Sequence, residues 1–136
     1  MIALAVDTSA LLSIFKGEAR GKLWLQFLQE RAAVGPLLVS SIVVAEIRSF
    51  FPSDQACQKA LEALDLQHSA LEEPGALLAG SIFRAYRKAG GPRATILPDF
   101  LVAAHAATQA SHLATDDRGY LRTYFPKLRI VNPPSI

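Results

Sequence analysis

The 136 residues suffice for one ordinary domain, and 51% of them are apolar, so the chain can bury a substantial core. A single cysteine, Cys57, excludes an intrachain disulfide and a cysteine-based metal cage. The formal net charge is only +2, but residues 1–83 sum to −3 and residues 84–136 to +5. Because the three acids of the basic part are all candidates for the site described below, we expect a positively charged rim around that site.

The apolar runs of the chain are short. Runs such as residues 42–45 and 76–79 fall well below the roughly 20 residues that a membrane-spanning helix needs. The residues before Asp7 are apolar but include no basic side chain, unlike the start of a secretory signal peptide. We therefore expect a single domain over residues 1–136 that is cytoplasmic and does not associate with a membrane.

Short apolar stretches alternate with segments of helical periodicity along the whole chain. The apolar stretches predict strands at 2–6, 37–40, 66–71, 113–115 and 128–131. The periodic segments predict helices over 8–15, 19–33, 54–64, 74–89 and 98–110. Ser41 is expected to cap a further helix that runs through Glu46 to about Phe51, and Pro98 to start the helix over 98–110.

The predicted strands are near-continuously apolar and do not alternate with polar residues. Strands of this kind are typical of a parallel sheet that helices cover on both faces. The alternation of strands and helices therefore predicts an α/β fold, a three-layer α/β/α sandwich with a mainly parallel central sheet.

Acidic residues follow several of the predicted strands. Asp7 comes directly after the first strand, and Asp116 and Asp117 come directly after the strand that ends at Thr115. Glu46 lies about one and a half turns into the helix after the second strand, and Asp99 lies in the first turn of the helix begun by Pro98. Functional clefts of open parallel sheets lie beyond the carboxyl ends of the strands, so we expect these acids to converge there.

Clustered carboxylates repel one another unless a cation binds between them. Mg²⁺ prefers oxygen ligands and can activate water for attack on a phosphodiester. Glu46 supports this interpretation because its helical neighbours Val43, Ile47 and Phe50 are apolar, and a buried carboxylate on such a face needs a partner. The sequence therefore predicts a divalent-metal site that could hydrolyse phosphodiesters.

All of these acids except Glu46 also have a local explanation that does not involve a metal. Asp7 can cap the first helix, and Asp99 can complement the dipole of its own helix. Asp116 and Asp117 can form an ordinary turn with the residues that follow them. The metal site is favoured because all of these positions fall on one edge of the predicted sheet.

Four motifs together resemble those of the PIN-domain ribonucleases, and in particular the bacterial VapC-type toxins. They read VDTSALL at 6–12, VAEI at 44–47, LPDFLVAA at 97–104 and LATDDRGY at 113–120. The ending LRIVNP at 128–133 is also similar. The resemblance covers essentially the whole chain, with the motifs in the order and at the spacing of the family.

This resemblance implies an endoribonuclease that depends on Mg²⁺ or Mn²⁺. It places Asp7, Glu46 and Asp99 as the principal catalytic and metal-binding acids. The fourth acid of the family follows a threonine with one residue between, which selects Asp117, although Asp116 is an alternative. Ser9 and Thr115 match hydroxyl positions that support the acids.

The resemblance also implies partners. Its members are usually homodimers that a VapB-type antitoxin holds inactive, and the substrate is RNA. Arg118 matches a basic residue beside the site. Lys16, Arg20 and Lys22 follow the first motif, and Arg87, Lys88 and Arg93 approach from the other side, so we consider them candidates for lining the cleft. Of these, Lys16 and Arg93 join Arg118 as the candidate RNA contacts.

Two other functions are compatible with the same residues. One is a catalytically silent PIN-like module that binds RNA or protein, although clustered acids near phosphate would not help a binder. The other is a metal-dependent phosphatase or DNA nuclease, but Ser9 stands where an Asp-x-Asp phosphatase has its second acid.

Overall fold

The computed structural model describes residues 2–91, 96–116 and 120–134. In these ranges the strands are β1 (Leu4–Val6), β2 (Leu37–Ser40), β3 (Leu66–Ser69), β4 (His112–Ala114) and β5 (Arg129–Val131). The helices are α1 (Thr8–Phe15), α2 (Ala19–Ala32), α3 (Ser41–Arg48), α4 (Asp54–Ala63), α5 (Glu73–Lys88), α6 (Ile96–Gln109) and α7 (Tyr120–Tyr124).

The strands form a single sheet in the order β3-β2-β1-β4-β5, and every pairing in it is parallel. Each pair of consecutive strands is joined through at least one helix, as parallel pairing requires. Crossovers between parallel strands are almost always right-handed, so a sheet wound outward in two directions carries helices on both faces. The predicted three-layer α/β/α sandwich with a parallel sheet is thereby confirmed.

The strand order places a switch in chain direction between β1 and β4. After β1 the chain moves outward to β2 and β3, whereas after β4 it moves outward to β5 on the opposite side. The two connections therefore diverge beyond the carboxyl ends of β1 and β4. A crevice opens at such a point in an open parallel sheet, and ligands bind there.

The core lies between the central strands and the helices that cover them. All three residues of β1 are at most 2% exposed, and Leu113 and Ala114 of β4 are fully buried. Trp24 from α2 and Phe100 from α6 are the largest buried side chains that cover this sheet. The two central strands are therefore buried in the core.

Helices α1 and α2 approach each other closely. A methyl group at Gly21 in α2 would lie 2.1 Å from the carbonyl oxygen of Ser13 in α1, well inside van der Waals contact. A glycine at this position lets the two backbones touch. The first turn of α2, with Arg20, is thereby held against α1, whose N-terminus carries Asp7.

Two predicted helix starts were wrong in detail. The N-cap of α3 is Ser40, whose hydroxyl accepts a hydrogen bond from the Val43 amide at 3.4 Å, whereas the Ser41 hydroxyl pairs with His68 Nε2 at 2.9 Å. Helix α6 begins at Ile96, two residues before Pro98. Proline is tolerated there because the first-turn amides of a helix have no intrahelical acceptor.

Helix α7 was not predicted from the sequence. Its five residues span little more than one turn, so they show no helical period. Among the described residues, no helix is both long enough and apolar enough to cross a membrane.

Candidate active site

Asp7 lies at the point where β1 becomes α1. Its backbone amide donates to the carbonyl of Ala114 at the end of β4, at 2.9 Å, so the two central strands stay paired up to this residue. Its side chain caps α1, because Oδ1 accepts from the Thr8 amide at 2.8 Å. The capping alternative raised from the sequence is therefore realised, but it involves only one of the two carboxylate oxygens.

The second oxygen of Asp7 accepts from two hydroxyl groups. Thr115 Oγ1 donates to Oδ2 at 2.7 Å and Ser9 Oγ donates to it at 3.2 Å. The two hydroxyls also lie 3.4 Å from each other. Ser9 from α1 and Thr115, which directly follows β4, thus fix the orientation of the Asp7 carboxylate.

Despite these donors, the pKa of Asp7 is raised above its ordinary value of 3.8. Burial of the carboxylate is the largest cause, and the negative charge of Asp99 contributes in the same direction. The three hydrogen bonds oppose the shift without cancelling it. The environment of Asp7 is therefore short of positive charge.

Asp99 comes from the first turn of α6 and faces the same cavity. This cavity has a volume of about 340 Å³. It is lined by Asp7, Ser9, Asp99, Val102, Thr115, Asp116 and Leu121. The structure thus brings together, around one cleft at the switch point, acids and hydroxyls that are far apart in sequence.

The side chains around this cleft fit a hard divalent cation. Every polar side chain in the lining carries oxygen, the donor atom that Mg²⁺ prefers, and Mg²⁺ is commonly held by one or two carboxylates plus water. A cation would also supply the positive charge that Asp7 lacks. Within 2–91, 96–116 and 120–134, no group of three or more His, Cys, Asp or Glu side chains is arranged to hold a metal. Asp7 and Asp99 both line the cavity, and they stay the predicted ligands.

Glu46 differs from its expected environment. Its side chain is exposed, as is Phe50 at 43%, so the argument that Glu46 lies on a buried apolar face was wrong. The helix places Val43 and Ile47 in the core and turns Glu46 away from them. Glu46 Oε1 instead accepts from Thr8 Oγ1 at 2.7 Å, which positions it beside Asp7 but outside the lining of the cavity.

The fourth acid is only partly described. Asp116 lines the cavity, and its carboxylate accepts from Arg20 and from the indole nitrogen of Trp24. Asp117 lies outside the described residues. The choice between the two acids therefore stays a prediction.

Of the three predicted RNA contacts, the structure describes Lys16 alone. Lys16 is exposed at the carboxyl end of α1, the opposite end from Asp7, and does not line the cavity. Arg93 and Arg118 lie outside the described residues. Trp24 is fully buried, and its indole nitrogen donates to Asp116, an acid of the cleft.

Comparison with known proteins gives the family. The sequence matches the PIN domain model over residues 4–126. No curated protein matches. Among solved structures, VapBC2 from Rickettsia felis bound to a promoter DNA fragment is similar with a TM-score of 0.74 and 21% identity over 96% of this chain and 98% of that one.

Two further structures show the same fold. VapBC-1 from nontypeable Haemophilus influenzae has a TM-score of 0.72 and 22% identity over 96% of this chain and 98% of that one. FitAcB from Neisseria gonorrhoeae has a TM-score of 0.64 and 21% identity over 96% and 97% of the two chains. With most of its length matched by the family model, the chain belongs to the PIN-domain family.

Proposed function

We propose that this protein is a divalent-metal-dependent endoribonuclease and the toxin of a VapBC-type toxin–antitoxin pair. The observation that carries the proposal is the pair of acids, Asp7 and Asp99, in one cavity, where burial and mutual repulsion raise the pKa of Asp7. A divalent cation in such a site lowers the pKa of water and neutralises charge that develops at phosphorus. Mg²⁺ is the expected ion, and Mn²⁺ fits the same oxygen ligands.

The side chains of the cleft would divide the work. Asp7 and Asp99 hold the cation, while Ser9 and Thr115 keep the Asp7 carboxylate oriented through its Oδ2. Glu46, which accepts from Thr8 next to Asp7, would help to complete the metal shell and orient the attacking water. Asp117 completes the set of acids in this proposal, with Arg118, Lys16 and Arg93 as the candidate contacts for RNA phosphates.

The toxin–antitoxin assignment is supported by the solved structures of similar fold, which are VapBC complexes and a toxin–antitoxin complex from Klebsiella pneumoniae. A small VapB-like antitoxin is therefore the expected partner, and a homodimer the expected assembly. We place the protein in the cytoplasm, where an RNA substrate is available.

Cleavage of RNA by the purified protein tests this function. With Mg²⁺ present, Asp7→Asn and Asp99→Asn are expected to lower the cleavage rate at least about 100-fold, because each removes a charged ligand. The matched control is Asp54→Asn, the same chemical change at an acid whose side chain is 85% exposed and paired with Arg48. Wild-type rates in the Asp99→Asn protein would rule the proposal out.

Substrate and metal controls separate the other two functions. A titration with Mn²⁺ that shows no binding would favour a silent binding module. Parallel assays with RNA, single-stranded DNA and a small phosphate ester distinguish a ribonuclease from a DNA nuclease or a phosphatase. We expect cleavage of RNA alone, and loss of that cleavage when a chelator removes the metal.

A further inference from the structure

Asp116 is held by two side chains of α2. Arg20 Nη2 and Nε donate to its Oδ1 at 2.8 and 3.2 Å, and Trp24 Nε1 donates to its Oδ2 at 2.8 Å. Donors from α2 therefore fix both carboxylate oxygens of Asp116, an acid that lines the cleft. Helix α2 supplies none of the candidate metal ligands. Arg20 and Trp24 lie one helical turn apart, so they reach the same carboxylate from one face.

These two donors are themselves held in place. Trp24 is fully buried, and the Arg20 guanidinium lies 5.9 Å from the centre of its ring. Arg20 Nη2 also donates to the carbonyl of Pro133 at 2.9 Å, which ties the segment after β5 to the same group. The close approach of Gly21 to the backbone of Ser13 and Ile14 also holds this part of α2 against α1.

A short chain of contacts links Asp116 to Asp7. The Asp116 amide donates to Ser9 Oγ at 3.4 Å, and Ser9 in turn donates to Asp7. The residue before Asp116 is Thr115, whose hydroxyl makes the 2.7 Å bond to Asp7 Oδ2. A displacement of Asp116 would therefore move both hydroxyls that orient the Asp7 carboxylate.

From this geometry we infer that Arg20 and Trp24 are positioning residues, which anchor Asp116 so that Ser9 and Thr115 hold Asp7 in its metal-binding orientation. The inference rests on the proposed metal site. In this inference Asp116 is an anchor, and other acids contact the metal directly. Partners in this outer position typically change metal affinity by about 10- to 100-fold when they are removed.

Two other roles for Arg20 predict different results. If Arg20 acted only through its charge, it would repel a cation in the cleft, and its removal would tighten Mg²⁺ binding. If Arg20 bound the phosphate groups of RNA, its removal would raise KM and leave Mg²⁺ affinity unchanged. An anchor predicts weaker Mg²⁺ binding, so the sign of the change separates the three roles.

The test is calorimetric titration of Mg²⁺ into the purified full chain and its variants. Arg20→Met removes the charge and the donors, and Trp24→Phe keeps a buried ring but removes the indole donor. We expect each to weaken Mg²⁺ binding about 10-fold or more. The control is Arg31→Met, the same change in the same helix, where Arg31 stacks on Phe27 about 16 Å along the axis from Arg20.

The double variant Arg20→Met/Asp116→Asn tests whether Arg20 acts through Asp116. Because both changes break the same contact, the double variant is expected to bind Mg²⁺ about as weakly as Arg20→Met alone. Arg20→Lys, which keeps the charge and one donor, is expected to recover part of the loss. Urea unfolding of each variant identifies any that fail to fold, and Arg20→Lys and Asp116→Asn then provide the milder comparisons.

Several outcomes would overturn the inference. They are tighter or unchanged Mg²⁺ binding by Arg20→Met, additive losses in the double variant, or loss of binding by Asp116→Asn as complete as that by Asp99→Asn, which would make Asp116 an inner ligand. Wild-type protein that binds Mg²⁺ but does not cleave RNA would refute only the proposed function. Wild-type protein that binds no Mg²⁺ would refute both.

Discussion

Asp7 caps α1 with a carboxylate whose charge is disfavoured by its surroundings. Its carboxylate accepts three hydrogen bonds, yet burial and Asp99 still raise its pKa. An Asp that only capped a helix would gain from its charge, whereas this charge is unfavourable until a cation neutralises it. The local geometry therefore costs stability in the metal-free protein, as is common at functional sites.

The Asp7→Asn variant is accordingly expected to be more stable than the wild type in the absence of metal. The neutral amide avoids the desolvation of a charge and the repulsion by Asp99, and Ser9 and Thr115 can rotate their hydroxyls to accept from it. We expect a gain of about 0.5–2 kcal/mol at neutral pH, measured by urea unfolding with a chelator present. A less stable variant at neutral pH would contradict this account.

The pH dependence has a definite sign. The pKa of Asp7 lies above 3.8 in the folded state and is taken as 3.8 in the unfolded state. Between these two pKa values the folded state binds more protons than the unfolded state. The cost in stability of burying the Asp7 charge is therefore fully present only above the raised pKa. The stability difference between Asp7→Asn and wild type should therefore shrink as the pH falls toward 3.8 and become independent of pH below it.

The sequence located the acids of the cleft better than it described their surroundings. Asp7 and Asp99 could be placed because a strand end and a helix start are local features. The contact between Trp24 and Asp116 joins residues 92 positions apart, so no local pattern indicates it. Glu46 was placed on the correct helix but on the wrong face, because a pattern of period 3.6 does not show where the apolar face ends.

At the scale of the helices and strands, the boundaries that were predicted best are those with unambiguous local chemistry. Helix α1 and strand β2 have the predicted limits, since Asp7 caps one and Gly35-Pro36 precedes the other. The start of α3 was off by one residue because Ser40 and Ser41 are equally good caps by type. The Ser41 hydroxyl instead contacts His68, 27 residues away in the chain, a partner that no local pattern indicates.

Substitution by alanine is expected to have opposite effects on stability at two helical glycines, because one is closely packed and the other is not. In Gly21→Ala the added methyl group would meet backbone atoms of Ser13 and Ile14 at 2.1 to 2.9 Å, so α1 and α2 must separate. In Gly80→Ala, within α5, nothing lies within 4 Å of the new methyl group. The first change is expected to destabilise the protein by about 1–3 kcal/mol, and the second to stabilise it by about 0.5–1 kcal/mol.

Urea unfolding of the two alanine variants measures this difference. Because Arg20 and Trp24 flank the α1–α2 contact, Gly21→Ala should also weaken Mg²⁺ binding, whereas Gly80→Ala should leave it unchanged. Equal stability of the two variants would mean that α1 and α2 do not pack as closely as described.

At the scale of the whole molecule, the sequence predicted the layers but not the order of the strands. Alternating helices and apolar strands require a parallel sheet, yet several strand orders satisfy that requirement. The order β3-β2-β1-β4-β5 makes β1 and β4 neighbours although they are more than 100 residues apart in the chain. This one pairing brings Asp7 next to Thr115 and Asp116, so the site depends on the complete fold.

Because the cleft joins the first strand to the fourth, cation binding should stabilise the entire domain. At a Mg²⁺ concentration about 100 times the dissociation constant, the free energy of unfolding should rise by about 2.7 kcal/mol. For a domain of this size that corresponds to an increase in Tm of roughly 6–14 °C. Differential scanning calorimetry with and without Mg²⁺ measures it, with NaCl added to match ionic strength because screening alone also affects the acids. The increase should be absent from Asp99→Asn. An equal increase in that variant would mean that Mg²⁺ binds elsewhere on the molecule. An equal increase in Tm with NaCl would mean that screening of the acids, and not Mg²⁺ binding, stabilises the protein.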